Sequence, residues 1–173
     1  MKHAPWWYMI SIEVRNQLKS LSRKGWCLNM EFNNPTREEI GQILRNAGNI
    51  AVVGLSDKSD RTSYMVAEAM QSRGYRIIPV NPQAQGEILG ETVYATLADI
   101  PEPVDIVNVF RREEYCADVA REAAAIKANV LWLQLGIHSD EAVQIAAENG
   151  LTAVTNRCIK VEDSIVLRGA GRN

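Results

Sequence analysis

The order of apolar and polar positions predicts alternating strands and helices from residue 36 onward. Short β-rich apolar runs predict strands over 50–53, 76–80, 105–110, 129–133 and 151–155. Helical spacing of apolar residues predicts helices over 36–47, 63–73, 113–127 and 140–148. Several strands are almost continuously apolar, which is typical of strands that are covered on both faces. The pattern predicts an α/β, Rossmann-like three-layer fold with a mostly parallel sheet of five to six strands.

Local signals mark the first helix and a weaker region in the middle of the chain. Thr36 and Glu39 have the spacing of a capping box, which predicts a helix start. Residues 81–104 are rich in Pro and Gly and are too few for a full helix and strand. Here we expect only a short edge strand at Val93–Ala95 and a helical turn at Leu97–Ile100.

Composition narrows the possible functions. The 173 residues carry a net charge of −2, so there is no overall basic field for nucleic acid. No apolar run reaches the ~18 residues of a membrane span. Cys27, Cys116 and Cys158 are widely spaced, which favours a reducing cytoplasm over a disulfide framework. Two distant histidines, His3 and His138, do not suggest a metal cluster.

The chain is expected to contain one domain with short flanking segments. Residues 1–35 are interpreted as an N-terminal extension, which is poorly ordered or docks weakly. A signal peptide is disfavoured because the apolar run Trp6–Ile10 is short and no small-residue cleavage site follows it. Met30 begins a segment that resembles the natural start of a protein. Residues 168–173 are expected to form a flexible tail.

The turn after the first strand has the strongest chemical signal. Gly54 follows an apolar strand and precedes a helix that starts near Ser63, and such a helix N-terminus suits phosphate. An NAD fingerprint would need Gly at the positions of Ser56 and Ser59. It would also need a carboxylate at the end of the second strand, where Asn81 stands. The turn therefore predicts a nucleotide site that is poorly suited to NAD.

Basic residues recur in the loops that follow the strands. Parallel strands end at one edge of their sheet, so these loops are expected to lie together. The basic residues are Lys58, Arg61, Arg111, Arg112, Arg157 and Lys160. They favour an anionic ligand, although Asp57 and Asp60 would repel phosphate unless they turn outward or pair with Lys58 and Arg61.

Four separated motifs give the chain a family resemblance. Residues 52–82, VVGLSDKSDRTSYMVAEAMQSRGYRIIPVNP, resemble the small stand-alone CoA-binding proteins. The motifs at 105–114, 131–137 and 156–160 strengthen the match. These proteins are related to the CoA-binding domain of the succinyl-CoA synthetase α subunit and of NDP-forming acyl-CoA synthetases. The resemblance covers about 36–167 and implies a Rossmann-like domain whose cofactor is coenzyme A.

The resemblance also implies a set of CoA-binding residues. The diphosphate would lie on Gly54, Leu55, Ser56, Ser63 and Tyr64, with Lys58 or Arg61 as phosphate partners. The adenosine would lie beside Val80, Asn81 and Pro82. The other half of the site would consist of Phe110, Arg111, Arg112, Gln134, Gly136, Asn156, Arg157 and Cys158.

No catalytic residue is expected. His138 is interpreted as a surface loop residue, and the related synthetases keep their phosphorylated histidine in a second domain. Cys158 is either a thiol that meets the CoA sulfhydryl or a packing residue, and packing is favoured. We expect a CoA or acyl-CoA carrier, sensor or accessory module with an unidentified protein partner. The alternatives are an NAD(H)-binding redox sensor or enzyme, and an interaction subunit with a vestigial cleft.

Overall fold

A computed structural model describes residues 32–167, and residues 33–167 belong to one compact unit. Its helices are α1 (Arg37–Asn46), α2 (Thr62–Gln71), α3 (Cys116–Ala125), α4 (Asp140–Glu148) and α5 (Ile159–Val166). Its strands are β1 (Asn49–Val53), β2 (Arg76–Val80), β3 (Glu87–Ile88), β4 (Glu91–Thr92), β5 (Ile106–Val109), β6 (Val130–Leu133) and β7 (Thr152–Val154). The alternation confirms the predicted α/β fold. The predictions for 168–173 and for nearly all of 1–35 lie outside the described residues.

The main sheet has five parallel strands in the order β2-β1-β5-β6-β7. Val53 at the end of β1 is in register with Val80 of β2 on one side and with Val109 of β5 on the other. The chain therefore grows outward from β1 to β2 and then crosses back to β5. Ligands of open parallel sheets bind at such a reversal, outside the carboxyl ends of the strands.

Helices cover both faces of the sheet, which explains the continuous apolar strands. On one face, Val52 and Trp132 belong to a buried cluster with Leu44 of α1, Val66 of α2 and Ile159 of α5. On the other face, α3 and α4 pack against each other, and α3 also contacts β5 and β6. Alanine fills this second layer at fully buried positions, namely Ala120, Ala123, Ala142 and Ala146. Small side chains let the two helices approach closely.

The middle region departs from the expected edge strand. Tyr94 makes only an isolated bridge with Val80, so the expected strand at Val93–Ala95 is not formed. The chain instead forms a small antiparallel hairpin from β3 and β4. Leu89 and Gly90, at φ +56° and +75°, make the turn, as in a type I′ hairpin. The expected helical turn is present as a 3₁₀ helix over Leu97–Asp99.

Helix α5 was not predicted from the sequence, and a buried carboxylate anchors it. Asp163 accepts a 2.6 Å hydrogen bond from the Tyr75 hydroxyl. It also forms a 2.7 Å ion pair with Arg73. The same arginine donates to the Lys160 carbonyl, 3.0 Å away. These bonds join α5 to the chain just after α2 and close the layer over the sheet.

Two classes of feature are absent from residues 32–167. None of the helices in this range is long and apolar enough to cross a bilayer. Nor do His, Cys, Asp and Glu side chains in this range gather into a group that could hold a metal ion.

Candidate functional site

The loops after β1 and β5 meet at the point where the strand order reverses. Gly54 has φ +86°, and its N–H donates a 2.8 Å hydrogen bond to the Val80 carbonyl. A Cβ at this position would lie 2.9 Å from the Phe110 carbonyl oxygen and 3.3 Å from Cδ of Arg111. Glycine is required here by both the left-handed backbone and the close approach of the β5 exit.

The loop between Gly54 and α2 is held by its own side chains. Leu55 is fully buried in the core and fixes the beginning of the loop. The Ser56 N–H donates to the Ser63 hydroxyl at 3.1 Å, and the Lys58 N–H donates to the Ser56 hydroxyl at 3.1 Å. Both hydroxyls therefore shape the turn, and Tyr64 packs half-buried against the core one residue further on.

Helix α2 begins without a side-chain cap. Its N-cap residue, Arg61, is extended and makes no capping hydrogen bond, and no acidic residue lies in the first turn. Thr36 caps α1 and Ser139 caps α4 through their hydroxyls. Helices α3 and α5 also begin without a side-chain cap, but each has an acidic residue in its first turn, which α2 lacks. The first N–H groups of a helix have no partner within it, and the helix dipole places partial positive charge there. The start of α2 is therefore suited to an anion.

These elements line an open cleft of about 430 Å³. The lining residues are Gly54, Ser56, Lys58, Arg61, Thr62, Ser63 and Phe110. Lys58 and Arg61 are exposed and form no ion pair within residues 32–167. Asp57 and Asp60 are also exposed, but they do not line the cleft. The cleft therefore presents positive charge and backbone N–H groups.

Asn81 has a structural role at the end of β2. Its side-chain amide donates to the Leu55 carbonyl at 2.9 Å and accepts from the Gln83 N–H at 3.0 Å. Its own N–H donates to the Tyr94 carbonyl. Asn81 thus ties the β1 turn to the β2 loop, with Val80 buried before it and Pro82 exposed after it.

The two arginines after β5 differ in their surroundings. The Arg111 guanidinium lies 5.4 Å from the centroid of the Tyr115 ring, at the distance of a cation–π contact. Arg112 has a side chain that is 83% exposed, and it lies 3.9 Å from the Glu114 carboxylate. Arg111 therefore stays beside the cleft at Gly54, whereas Arg112 lies in solvent.

A buried thiol supports the loop that carries these arginines. Cys116 is fully buried, and its Sγ lies 3.5 Å from the Arg112 carbonyl oxygen. Burial raises the pKa of this thiol from 9.0 to about 11, and the negative charge of Glu113 adds to the rise. The thiol is therefore neutral at physiological pH and is not a nucleophile.

The loops after β6 and β7 bind each other. The Gly136 N–H donates to the Asn156 side-chain oxygen at 2.8 Å, and the Asn156 N–H donates to the Ile137 carbonyl. The Trp132 indole donates to the Arg157 carbonyl at 2.8 Å. The Arg157 guanidinium pairs at 2.8 Å with Glu162, whose side chain is almost completely buried.

The remaining sequence-predicted residues of this half are also enclosed. Cys158 is half-buried, packs against the core and precedes α5. Gln134, the first residue after β6, is only 4% exposed. Of the predicted residues of the first turn and of the β5 exit, those that line the cleft are Gly54, Ser56, Lys58, Arg61, Ser63 and Phe110, with Arg111 beside it. Leu55 and Tyr64 instead pack in or against the core. The structure places Gly136, Asn156, Arg157 and Cys158 in loops that do not line this cleft.

Two polar residues at this edge were not among those predicted from the sequence. Thr62 lines the cleft because α2 starts one residue earlier than expected. Asn108 lies inside β5 at 1% exposure, and its side-chain oxygen has no hydrogen-bond partner. A polar residue within the apolar run IVNVF was the available signal for the second of these.

Comparison with known proteins supports this assignment of the fold. The chain is 48% identical to the uncharacterized protein YneT of Bacillus subtilis over 132 residues, which are 76% of this chain and 97% of YneT. The structure of the Thermus thermophilus protein cell-free ID.343 matches with a TM-score of 0.74 and 36% identity, over 76% of this chain and 99% of that one.

A larger enzyme contains the same fold. The acetyl-coenzyme A synthetase 1 of Ca. Korarchaeum cryptofilum, solved with phosphate and ADP, matches with a TM-score of 0.60 and 21% identity. The match covers 66% of this chain and 27% of the synthetase. A family described as the CoA binding domain matches residues 48–164, which are most of the described fold and include the whole cleft. The chain belongs to this CoA-binding domain family.

Proposed function

We propose that this protein binds coenzyme A or an acyl-CoA in the cleft between the β1 turn and Phe110, as a carrier, sensor or accessory module. The observation that carries the proposal is the uncapped start of α2, which faces the Gly54 turn and is flanked by Lys58 and Arg61. Membership of the CoA-binding domain family supplies the identity of the anion.

The diphosphate of CoA fits the electrostatics of this cleft. Backbone N–H groups at the start of α2 would donate to phosphate oxygens, with Lys58 or Arg61 supplying charge. CoA also has a 3′-phosphate on its ribose, which a carboxylate at the end of β2 would repel. The neutral Asn81 avoids that repulsion, and its amide is already bonded within the loops.

The composition of the cleft supports binding over catalysis. Its lining contains backbone, hydroxyl, ammonium, guanidinium and phenyl groups, with no carboxylate, imidazole or thiol. Such groups bind phosphate but do not supply a general base. We therefore propose that any chemistry on the acyl group belongs to a partner enzyme.

Calorimetric titration of the full chain with CoA, dephospho-CoA and NAD tests the proposal. We expect CoA to bind most tightly and dephospho-CoA to bind less tightly, because its 3′-phosphate is missing. Equal or tighter binding of NAD would support the redox alternative. No binding of any of the three would support an interaction subunit with a vestigial cleft.

A matched pair of lysines controls for general charge effects. Lys58→Gln removes a charge from the cleft, whereas Lys127→Gln removes an exposed charge just before β6, at the opposite edge of the sheet. We expect only the first variant to weaken CoA binding, by roughly tenfold. Equal effects of the two variants would contradict the proposed location of the phosphates.

A further inference from the structure

The two arginines after β5 have acidic neighbours, but only one of them forms an ion pair. Arg112 lies 3.9 Å from Glu114, whereas the Arg111 guanidinium has no ion-pair partner within residues 32–167. Glu113 and Glu114 are both exposed and follow Arg111 closely in the chain. A long basic side chain on a surface readily pairs with such carboxylates. The direction that Arg111 takes instead therefore needs a physical cause.

The Gly54 turn and Tyr115 fix the direction of the Arg111 side chain. Its Cδ passes close to the turn, 3.3 Å from the position that a Cβ on Gly54 would occupy. Its guanidinium carbon lies 5.4 Å from the centroid of the Tyr115 ring. The stem is thus held at the turn and the charged group at the ring, beside the cleft that Gly54 lines.

The backbone of Tyr115 is anchored, although the residue contributes little to the core. Tyr115 ends the 3₁₀ turn Glu113–Tyr115, and its N–H donates a 3.0 Å hydrogen bond to the Arg112 carbonyl. The next residue, Cys116, is fully buried and begins α3. Tyr115 itself is 45% exposed. Its ring is therefore a fixed surface for the guanidinium rather than a packing group.

We propose that Tyr115 is a positioning residue for ligand binding, whose ring holds the Arg111 guanidinium at the rim of the cleft for a phosphate of CoA. This inference rests on the proposed function. Stacking on a ring uses the flat face of the guanidinium and leaves the N–H donors in its plane free. A phosphate accepts two of these donors at once. The stack also restricts the side chain before the ligand arrives, which lowers the entropic cost of binding.

Two substitutions of Tyr115 test the proposal in the full chain. Tyr115→Phe keeps the ring, whereas Tyr115→Leu removes it and keeps an apolar side chain. Calorimetric titration with CoA should give the wild-type affinity for Tyr115→Phe and a roughly two- to fivefold loss for Tyr115→Leu, as expected for one exposed cation–π contact. Equal losses in the two variants would show that the hydroxyl matters rather than the ring, and would overturn the proposal.

The Arg111→Ala background separates positioning from direct contact with the ligand. If Tyr115 acts through Arg111, Tyr115→Leu should not weaken CoA binding further once the guanidinium is gone. The same loss in both backgrounds would mean that Tyr115 acts on the ligand or on the fold by another route, and the proposal would be wrong. Val161→Ala, at a 48% exposed position on α5, is the matched control and should bind CoA as the wild type does.

The wild-type titration distinguishes failure of this inference from failure of the proposed function. If the wild type does not bind CoA, the proposed function fails and this inference fails with it. If the wild type binds CoA and Tyr115→Leu binds it equally well, only the inference fails. It also fails alone if Arg111→Ala binds CoA as tightly as the wild type, because no guanidinium contact then exists to be positioned.

Discussion

The two halves of the carboxyl edge of the sheet differ in what their polar groups bind. After β1, Lys58 and Arg61 have no ion-pair partner within residues 32–167, and they border a cleft that Phe110 after β5 completes. After β6 and β7, Asn156 bonds to Gly136, and Arg157 pairs with Glu162. A position at the carboxyl edge therefore does not by itself make a residue part of a ligand site. A charged side chain at this edge must also be free of ion-pair partners within the fold.

The place of each strand in the sheet explains the difference. Strands β1 and β5 are interior and have hydrogen-bonded neighbours on both sides, whereas β7 is at the edge with β6 as its one partner in the sheet. The Asn34 side chain makes two hydrogen bonds to the backbone of Thr155, 2.7 and 3.0 Å long, much as a neighbouring strand would. An edge strand needs such support, and Asn156 after β7 in turn ties down the loop after β6 through its bond to Gly136.

The largest expected effect is on stability, in the β6–β7 half. Arg157→Met leaves the buried Glu162 carboxylate without its ion-pair partner. We expect the free energy of unfolding to fall by about 2–3 kcal/mol, less than for a fully enclosed pair because Arg157 is 34% exposed. Urea denaturation followed by circular dichroism measures the change.

A double variant distinguishes structure from ligand binding at this pair. Arg157→Met combined with Glu162→Leu removes both charges and should recover most of the lost stability. Its affinity for CoA should equal that of the wild type. A loss of CoA affinity at full stability would show that Arg157 contacts the ligand and would abolish the contrast between the two halves.

The next effect is on affinity, in the β1–β5 half. Arg111→Ala removes a guanidinium beside Gly54 and should weaken CoA binding by roughly tenfold to a hundredfold, as expected for a lost charge-assisted contact of ~1.5–3 kcal/mol. The melting temperature should not change. Arg112→Ala is the neighbouring control, since this side chain lies in solvent, and calorimetry should show little change. Unfolding of Arg111→Ala with unaltered affinity would mean that the site is misplaced.

The smallest effect concerns one cysteine in each half. The pKa rise from 9.0 to about 11 lowers the thiolate fraction of Cys116 near pH 8 about a hundredfold. We therefore expect iodoacetamide to modify half-buried Cys158 well before Cys116 in the folded protein, as measured by peptide mass spectrometry. In urea the two rates should become similar. Rapid modification of Cys116 in the folded protein would show that the loop that carries Arg111 and Arg112 opens readily.

The sequence predicted the fold well because the relevant signals are local. The apolar runs, the capping box at Thr36 and the turn at Gly54 each depend on neighbours a few residues away. Helix α5 was missed because it depends on Arg73 and Tyr75, which contact Asp163 about 90 residues later in the chain. The hairpin of β3 and β4 was missed because Leu89 adopts a positive φ that its residue type does not suggest.

The sequence by itself determined the order of strands and helices, the glycine turn after β1 and the family resemblance. Only the tertiary structure decided which strand-end residues keep their polar atoms available. Asn81 and Arg157 are predicted ligand contacts, and the fold adds that their side chains bond to the Leu55 carbonyl and to Glu162. Asn108 looked like part of an apolar strand, yet its buried oxygen is unpaired. Hydrogen-bond partners are chosen by proximity in space, which packing of distant segments creates and no local pattern records.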